Sequence, residues 1–419
     1  MTYFTYKNDI LHAEQVSLID IANSVGTPFY CYSANSIIDR YNQLKSAFSG
    51  IDCLIAYAMK ANSNQAILSL LAKQGAGADI VSLGELERAI KANIAPQKII
   101  FSGVGKSEKE LRRALELNVH CFNLESEAEL DRLNIIAGEM GKIAPVSVRI
   151  NPNVDAKTHK KITTGTSENK FGISHKDAMR IYEKIANSPN LKAIGIDMHI
   201  GSQIINLEPF DNAFAIMAKL VIDLRLAGHE ISHFDVGGGL GIAHGQNEKE
   251  PDINAYAKIV RSHLSNLDCT LVLEPGRWLV GTAGILVTKV EYIKHGENKD
   301  FVIVNAGMND LLRPTLYEAH HDILAVEHEN GKENMFADIV GPICESGDYL
   351  AQSRTLPKAK QGDLLAIMSA GAYGAVMAGT YNSRPRIPEM LVKDNRFEII
   401  RKRQKIEDLI ALDSVPSWI

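Results

Sequence analysis

Between residues 51 and 275 the chain alternates eight short apolar runs, rich in branched side chains, with longer stretches whose apolar residues recur three and four positions apart. Runs of the first kind read as strands and stretches of the second as amphipathic helices, so the succession is one of βαβ units. Strands are predicted over Ile51–Tyr57, Gly77–Val81, Lys98–Phe101, His120–Asn123, Val146–Ile150, Ala193–His199, His233–Val236 and Thr270–Leu273. Seven helical patterns fall between them, such as Asn64–Lys73, Leu83–Lys91 and Ser126–Ala137. Strands of this kind close into a (β/α)8 barrel or spread into an open doubly wound sheet, and alternation alone allows both. The strand ends favour the barrel. They read Lys60, Asp79, Ser102, Asn123, Arg149, His199 with Ser202, Gly237–Gly239, and finally Glu274-Pro275-Gly276-Arg277. In a barrel these polar and glycine-rich ends converge on one rim, where the active site lies.

After Gly284 the rhythm changes to β-like runs over Ile285–Ile293, Phe301–Val304, Ala337–Gly341, Leu364–Ser369 and Arg386–Val392, without matching long helices. A separate β domain is expected there. Residues 1–32 carry short strands of their own and are expected to join it, which divides the chain into 1–32, a barrel over 33–280 and a β domain over 281–419. The predicted class is α/β, a barrel plus a β domain. No internal repeat or low-complexity linker is evident.

Composition narrows the partners. With 45% hydrophobic and 23% charged residues the chain reads as soluble and globular, and it contains no run of the ~18 apolar residues that a membrane span needs. The opening MTYFTYKNDILHAEQ has no basic region followed by an apolar stretch, so no signal peptide and a cytoplasmic location are expected. Five scattered cysteines, Cys31, Cys53, Cys121, Cys269 and Cys344, include no C-x-x-C pair; reduced thiols are expected, with neither disulfides nor bound metal. A formal charge of −5 without long basic runs leaves no electrostatic footprint for nucleic acid. The expected partner is a small molecule.

The stretch LIAYAMKAN (Leu54 to Asn62) ends an apolar strand in a single lysine. A lysine among apolar neighbours loses solvation of its charged form and becomes a nucleophile toward aldehydes, so Lys60 can form a Schiff base; the alternative is a solvated lysine at a strand end. If its partner is pyridoxal phosphate, the chain must also supply a phosphate cradle and a group tuned to the pyridine nitrogen. DVGGGLG (Asp235 to Gly241) follows the seventh strand, where barrels commonly bind phosphate, and Ser202 of HIGSQ can add a hydroxyl. The spacing is not that of a dinucleotide-binding turn, although a glycine run by itself can be only a turn. Glu274 of LVLEPGR places a carboxylate where it can keep a pyridinium protonated; an ion pair with Arg277 is the other reading. His199 can stack on the ring or be a hydrogen-bonded structural residue. Asp79 and Arg149 can equally be ion pairs of the rim.

Together AYAMKAN, HIGSQ, GGGLG, EPGR, GMNDLLRPTLYEAHH, GPICESGD and GAYG, with GTPFYCYS ahead of the barrel, resemble the motif series of the fold-type III pyridoxal-phosphate decarboxylases. The resemblance covers nearly the whole chain. It implies an alanine-racemase-like barrel with a β domain, pyridoxal 5'-phosphate as cofactor, and a homodimer with shared active sites. It implies that Lys60 is the Schiff-base lysine and that Asp79, His199, Ser202, Gly238, Gly239 and Glu274 to Arg277, including Pro275 and Gly276, contact the cofactor, with His199 stacking on it. Arg277, Arg313 and Tyr317 would hold a distal carboxylate of the substrate and Glu345 its distal amine. Tyr373 would touch cofactor and substrate. Cys344 would donate a proton from the other subunit; the residues alone say only that it is a free thiol, otherwise read as core.

The reaction follows from electron demand. Loss of CO2 leaves a carbanion at Cα that a protonated pyridinium delocalises, and an acid must then reprotonate the carbon. Alanine racemase pairs the ring nitrogen with an arginine, whereas the matching position here is Glu274, so racemisation is disfavoured. Ornithine decarboxylases present an acidic residue to a distal ammonium; here Arg313 and Tyr317 stand in LLRPTLYEAHH, and a guanidinium fork suits a carboxylate. The expected reaction is decarboxylation of meso-2,6-diaminopimelate to L-lysine and CO2, the last step of lysine biosynthesis. Carboxynorspermidine, or ornithine or arginine, as substrate and a non-catalytic pyridoxal-phosphate-binding protein are the alternatives.

Overall fold

A computed structural model describes residues 3–155, 170–245, 248–329, 331 and 333–419. The chain divides into two compact units, one of Ile38–Ile242 with Lys249–Trp278, the other of Met1–Ile37, Ala243–Glu248 and Leu279–Ile419.

Among the described residues of the first unit eight parallel strands form a ring, β1 (Cys53–Ala58), β2 (Gly77–Ile80), β3 (Ile99–Phe101), β4 (Cys121–Leu124), β5 (Ala144–Asn151), β6 (Leu191–Asp197), β7 (His233–Asp235) and β8 (Thr270–Leu273), and the short strand Ile173–Ser174 adds to β5. Each pairs with the next, β8 returns to β1 through Leu273↔Ile55, and β4 meets β5 through Phe122↔Val146, so the ring closes. Closure excludes the open sheet. Strands β2, β3 and β4 are buried along their whole length, as parallel strands covered by helices must be. The sixth predicted strand was expected to reach His199 but ends at Asp197, because the chain turns there into the loop that meets the glycine run.

The predicted helical patterns become helices such as Gln65–Gln74, Leu83–Lys91 and Glu127–Glu139, and their start signals are local. Asn64 accepts from Ala66 N, Ser82 from Glu85 N and Ser126 from Glu129 N. Ser107 and Glu110 form a reciprocal capping box. Each such cap contributes ~1 kcal/mol. Leu86 and Ala89, then Leu111, Ala114 and Leu115, are the buried faces of two successive helices.

In the second unit the long strand β9 (Gly284–His295) pairs antiparallel with β10 (Asp300–Val304), with β14 (Leu364–Ile367) and with Phe29–Ser33. Phe29–Ser33, buried at every position, also pairs in parallel with β15 (Glu389–Lys393), so the N-terminal segment is an interior strand of the β domain. Phe29, Cys31, Ile285, Val287, Ala366, Met390 and Val392 form its core. Three further strands, β11 (Ile323–Ala325), β13 (Tyr349–Pro357) and β16 (Arg396–Arg401), complete the sheet together with β12 (Asn334–Val340). The run expected to begin at Arg386 begins at Glu389 instead, directly after Pro388, which has no N–H to give a ladder.

Candidate active site

At the end of β1 the backbone tightens into a single turn, Met59–Ala61, that buries Met59 and Ala61 and leaves Lys60 half-buried. Its Nζ lies 3.2 Å from Oδ2 of Asp79, a fully buried side chain on neighbouring β2. Asp79 thus forms the rim ion pair that the sequence allowed. The turn is held to the last strand by the Ala58 N–H, which donates to Pro275 O at 3.1 Å.

The loops after β6, β7 and β8 interlock through backbone. Gly237 and Gly239 have φ of +68° and +102°, a region that only glycine enters without strain. A Cβ at Gly237, Gly238 or Gly239 would overlap the carbonyl oxygen of Met198, Glu274 or Gly201, respectively. The Gly237 N–H donates to Asp235 Oδ1 at 2.9 Å and the Gly238 N–H to His199 Nδ1 at 3.2 Å. His199 is therefore an acceptor at Nδ1. Burial, with Arg149 and Lys60 nearby, holds its pKa well below the ordinary value and keeps the ring neutral. Arg277 is buried and donates to Ser202 Oγ at 3.3 Å.

Under this rim, Asp197, Asp235 and Glu274 are buried with carboxyl oxygens within 4.8 Å of one another. The Asn123 amide donates to Asp235 Oδ2 at 3.5 Å and to Ser102 Oγ at 3.3 Å, and Ser102 donates to Glu274 Oε1 at 3.5 Å. Burial pushes Asp197 up to about 7 against the pull of Arg149. Burial, then the neighbouring acids, pushes Glu274 well above the carboxylate range; Asp235 moves the same way. Burial in one another's company thus favours the protonated form of each carboxyl. Arg149 pairs with Glu125 at 3.1 Å, and Glu125 also receives the Gly103 and Gly172 N–H groups, so the rim ion-pair reading of Arg149 holds. Asp197 and Glu125 were missed in the sequence. The available signal for Asp197 was an acid inside the apolar stretch AIGIDMHI.

The other candidates lie in the second unit. Arg313 opens the short helix Arg313–Tyr317, is buried, and donates through Nη1 to His321 Nε2 at 2.8 Å; Tyr317 is half-buried. Cys344 and Glu345 occupy the exposed loop between β12 and β13, so the core reading of the Cys344 thiol is corrected. The reason is local: the segment turns at the tip of a loop, where Asn382 Oδ1 accepts from the Cys344 N–H at 2.8 Å and Tyr381 donates to Glu345 at 3.1 Å. Asp348 accepts from Met308 N and Ile343 N, both at 2.6 Å, while Thr315 Oγ1 donates to Gly347 O at 2.7 Å. These bonds bring the loop of Cys344 and Glu345 to the segment that carries Arg313 and Tyr317. Tyr373 is half-buried with a left-handed φ of 56°.

A family model described as the pyridoxal-binding domain of pyridoxal-dependent decarboxylases matches residues 34–281. Fold and match together define a pyridoxal-phosphate-dependent decarboxylase. The diaminopimelate decarboxylases of Vibrio cholerae and Pseudomonas aeruginosa are each 48% identical to the chain, over 99% of it and 99% of their own length. A crystal structure of diaminopimelate decarboxylase from Helicobacter pylori, complexed with L-lysine, superposes with a TM-score of 0.91 at 45% identity, covering 94% of this chain and 98% of that one. The chain belongs to the diaminopimelate decarboxylase family.

The residues present fit the cofactor. An amine sits at the rim beside a carboxylate, a glycine backbone leaves no room for side chains, and three buried acids cluster within 4.8 Å of one another. Among the described residues no helix is long and apolar enough to cross a membrane.

Proposed function

We propose that the chain decarboxylates meso-2,6-diaminopimelate to L-lysine and CO2, the closing step of lysine biosynthesis, with pyridoxal 5'-phosphate held in the barrel. The observation that carries this reading is Glu274, an acid buried at the end of β8 with the carboxyls of Asp197 and Asp235 within 4.8 Å. When bound, the cofactor supplies a conjugated pyridinium that takes up the electron pair left at Cα as CO2 departs. Glu274 would share its proton with the ring nitrogen and so maintain that demand. Lys60 would hold the cofactor covalently, with Asp79 orienting its amine. Neutral His199 would cover one ring face without adding charge. The Gly239 N–H, the Ser202 hydroxyl and the N–H groups of Gly276 and Arg277 would hold the phosphate, as backbone nests do, while Gly238, whose N–H holds His199, and Pro275 would line the cofactor beside them.

Arg277, Arg313 and Tyr317 would receive the distal carboxylate, Glu345 the distal amine, and Tyr373 both cofactor and substrate. Cys344 would deliver the proton to Cα from the partner subunit of a homodimer. Its exposure, with that of Glu345, supports this reading, since a residue serving a neighbouring subunit must stand at the surface of its own. A cytoplasmic location belongs to the same reading. The covalent assignment is tested by borohydride fixation of the purified protein followed by peptide mapping. The label should sit on the peptide of Lys60 and disappear in Lys60→Ala; fixation at another lysine overturns the assignment.

A further inference from the structure

His321 lies eight residues beyond Arg313, after the chain has turned back: Glu318 takes a left-handed φ of 53° and the Ala319 N–H reaches Arg313 O at 3.4 Å. The imidazole is fully buried. Its Nδ1 is 2.7 Å from Met368 O and its Nε2 2.8 Å from Arg313 Nη1. These two contacts fix the tautomer without any appeal to titration. A carbonyl oxygen only accepts, so Nδ1 carries the proton; a guanidinium only donates, so Nε2 offers its lone pair. The ring is locked to the sheet as well, because the Met368 N–H donates to Asp322 O at 2.8 Å just where β11 and β14 begin to pair.

We propose that His321 is a positioning residue that sets the fork of Arg313 for the substrate's distal carboxylate; this rests on assigning Arg313 to that carboxylate. A neutral acceptor suits the task better than an acid. A carboxylate at Nε2 would fix the guanidinium too, but would cancel its charge and compete with the incoming carboxylate. An imidazole lone pair takes one N–H, leaves the positive charge whole, and orders the long arginine side chain before substrate arrives, so that ordering entropy is not lost on binding. The adjacent histidine does not share the role. His320 faces Asp322 at 2.9 Å and Arg354 at 3.1 Å.

The test compares His321→Asn, His321→Gln and Arg313→Ala as full-length cofactor-loaded protein, with cofactor occupancy and Tm recorded for each. An asparagine keeps a donor near Met368 but cannot reach Arg313; a glutamine can present an oxygen close to the Nε2 position. His321→Asn should raise KM for diaminopimelate about 10- to 100-fold with kcat within about 3-fold of native, and should weaken competitive inhibition by pimelate equally. His321→Gln should recover most of the loss. If Arg313→Ala raises KM and His321→Asn does not, the inference is wrong while the assignment of Arg313 stands. If Arg313→Ala leaves KM unchanged, the assignment fails and the inference with it. If Asn and Gln lower occupancy and Tm alike with KM unmoved, His321 is merely structural and the proposal is overturned.

Discussion

Glu274 is held at the end of β8 with two other buried carboxyls close by and the Ser102 hydroxyl at 3.5 Å. Burial and the neighbouring acids favour its protonated form in the absence of cofactor, so one proton is available to be shared with a ring nitrogen. Glu274→Gln keeps the shape but cannot supply that proton, so turnover should fall at least ~100-fold while the cofactor stays bound through its phosphate. Cofactor absorbance and CO2 release, measured on one sample, separate the two effects; unchanged turnover would remove Glu274 from the mechanism. Arg313→Ala, by contrast, should leave cofactor loading intact and cost diaminopimelate ~2–5 kcal/mol if the ion pair it forms is desolvated. Retention of the native preference for diaminopimelate over lysine would contradict the role.

At the scale of elements, the site is built where three loops pack backbone against backbone. Gly238→Ala would drive a Cβ into the Glu274 carbonyl, with an overpacking cost of about 1–3 kcal/mol and a matching rise in the cofactor dissociation constant. Fluorescence titration and Tm measure both, and an alanine variant with native values for each would show that the loops are not so interlocked. The barrel was legible because its strands are continuous apolar runs and its helices begin at side-chain caps, both local signals. Barrel closure was not local: it rests on the pairing of β8 with β1, Leu273 with Ile55, far apart in sequence. Strand β16, Arg-Phe-Glu-Ile-Ile-Arg, escaped notice because exposed charged residues break the alternation, and Tyr349–Pro357 did so for its polar Gln-Ser-Arg-Thr centre. Motif order carried the candidate residues of the rim, whereas Asp197 and His321 matter through neighbours that only folding supplies.

For the whole molecule, acid stability carries a signature of the barrel. His233, at the start of β7, is pushed by burial and by His120 from 6.5 down to about 3. The unfolded chain binds a proton at His233 below about 6.5 and the folded chain does not until about 3, so its contribution is present above the first value and lost as pH falls toward the second. Asp197 has the opposite sign: its contribution is whole below 3.8 and lost as pH rises to about 7. The native chain sums both slopes, so the diagnostic is a difference: His233→Gln should lose less Tm than native protein between pH 6.5 and 4. Parallel profiles would show that His233 titrates normally. Assembly is tested by mixing. Lys60→Ala and Cys344→Ala should each be nearly inactive, yet random exchange makes about half the dimers mixed, each with one complete site, giving roughly a quarter of native activity. No recovery despite exchange would place the Cys344 proton in the same subunit.

The central claim is tested most directly by product stoichiometry. Purified protein loaded with pyridoxal phosphate is offered meso-2,6-diaminopimelate, carboxynorspermidine, ornithine and arginine separately, with CO2 and amine products counted. One L-lysine is expected for each CO2 from diaminopimelate, and at most a trace of CO2 from the other three. CO2 from one of those three in preference to diaminopimelate, or cofactor binding with no CO2 from any, would contradict it.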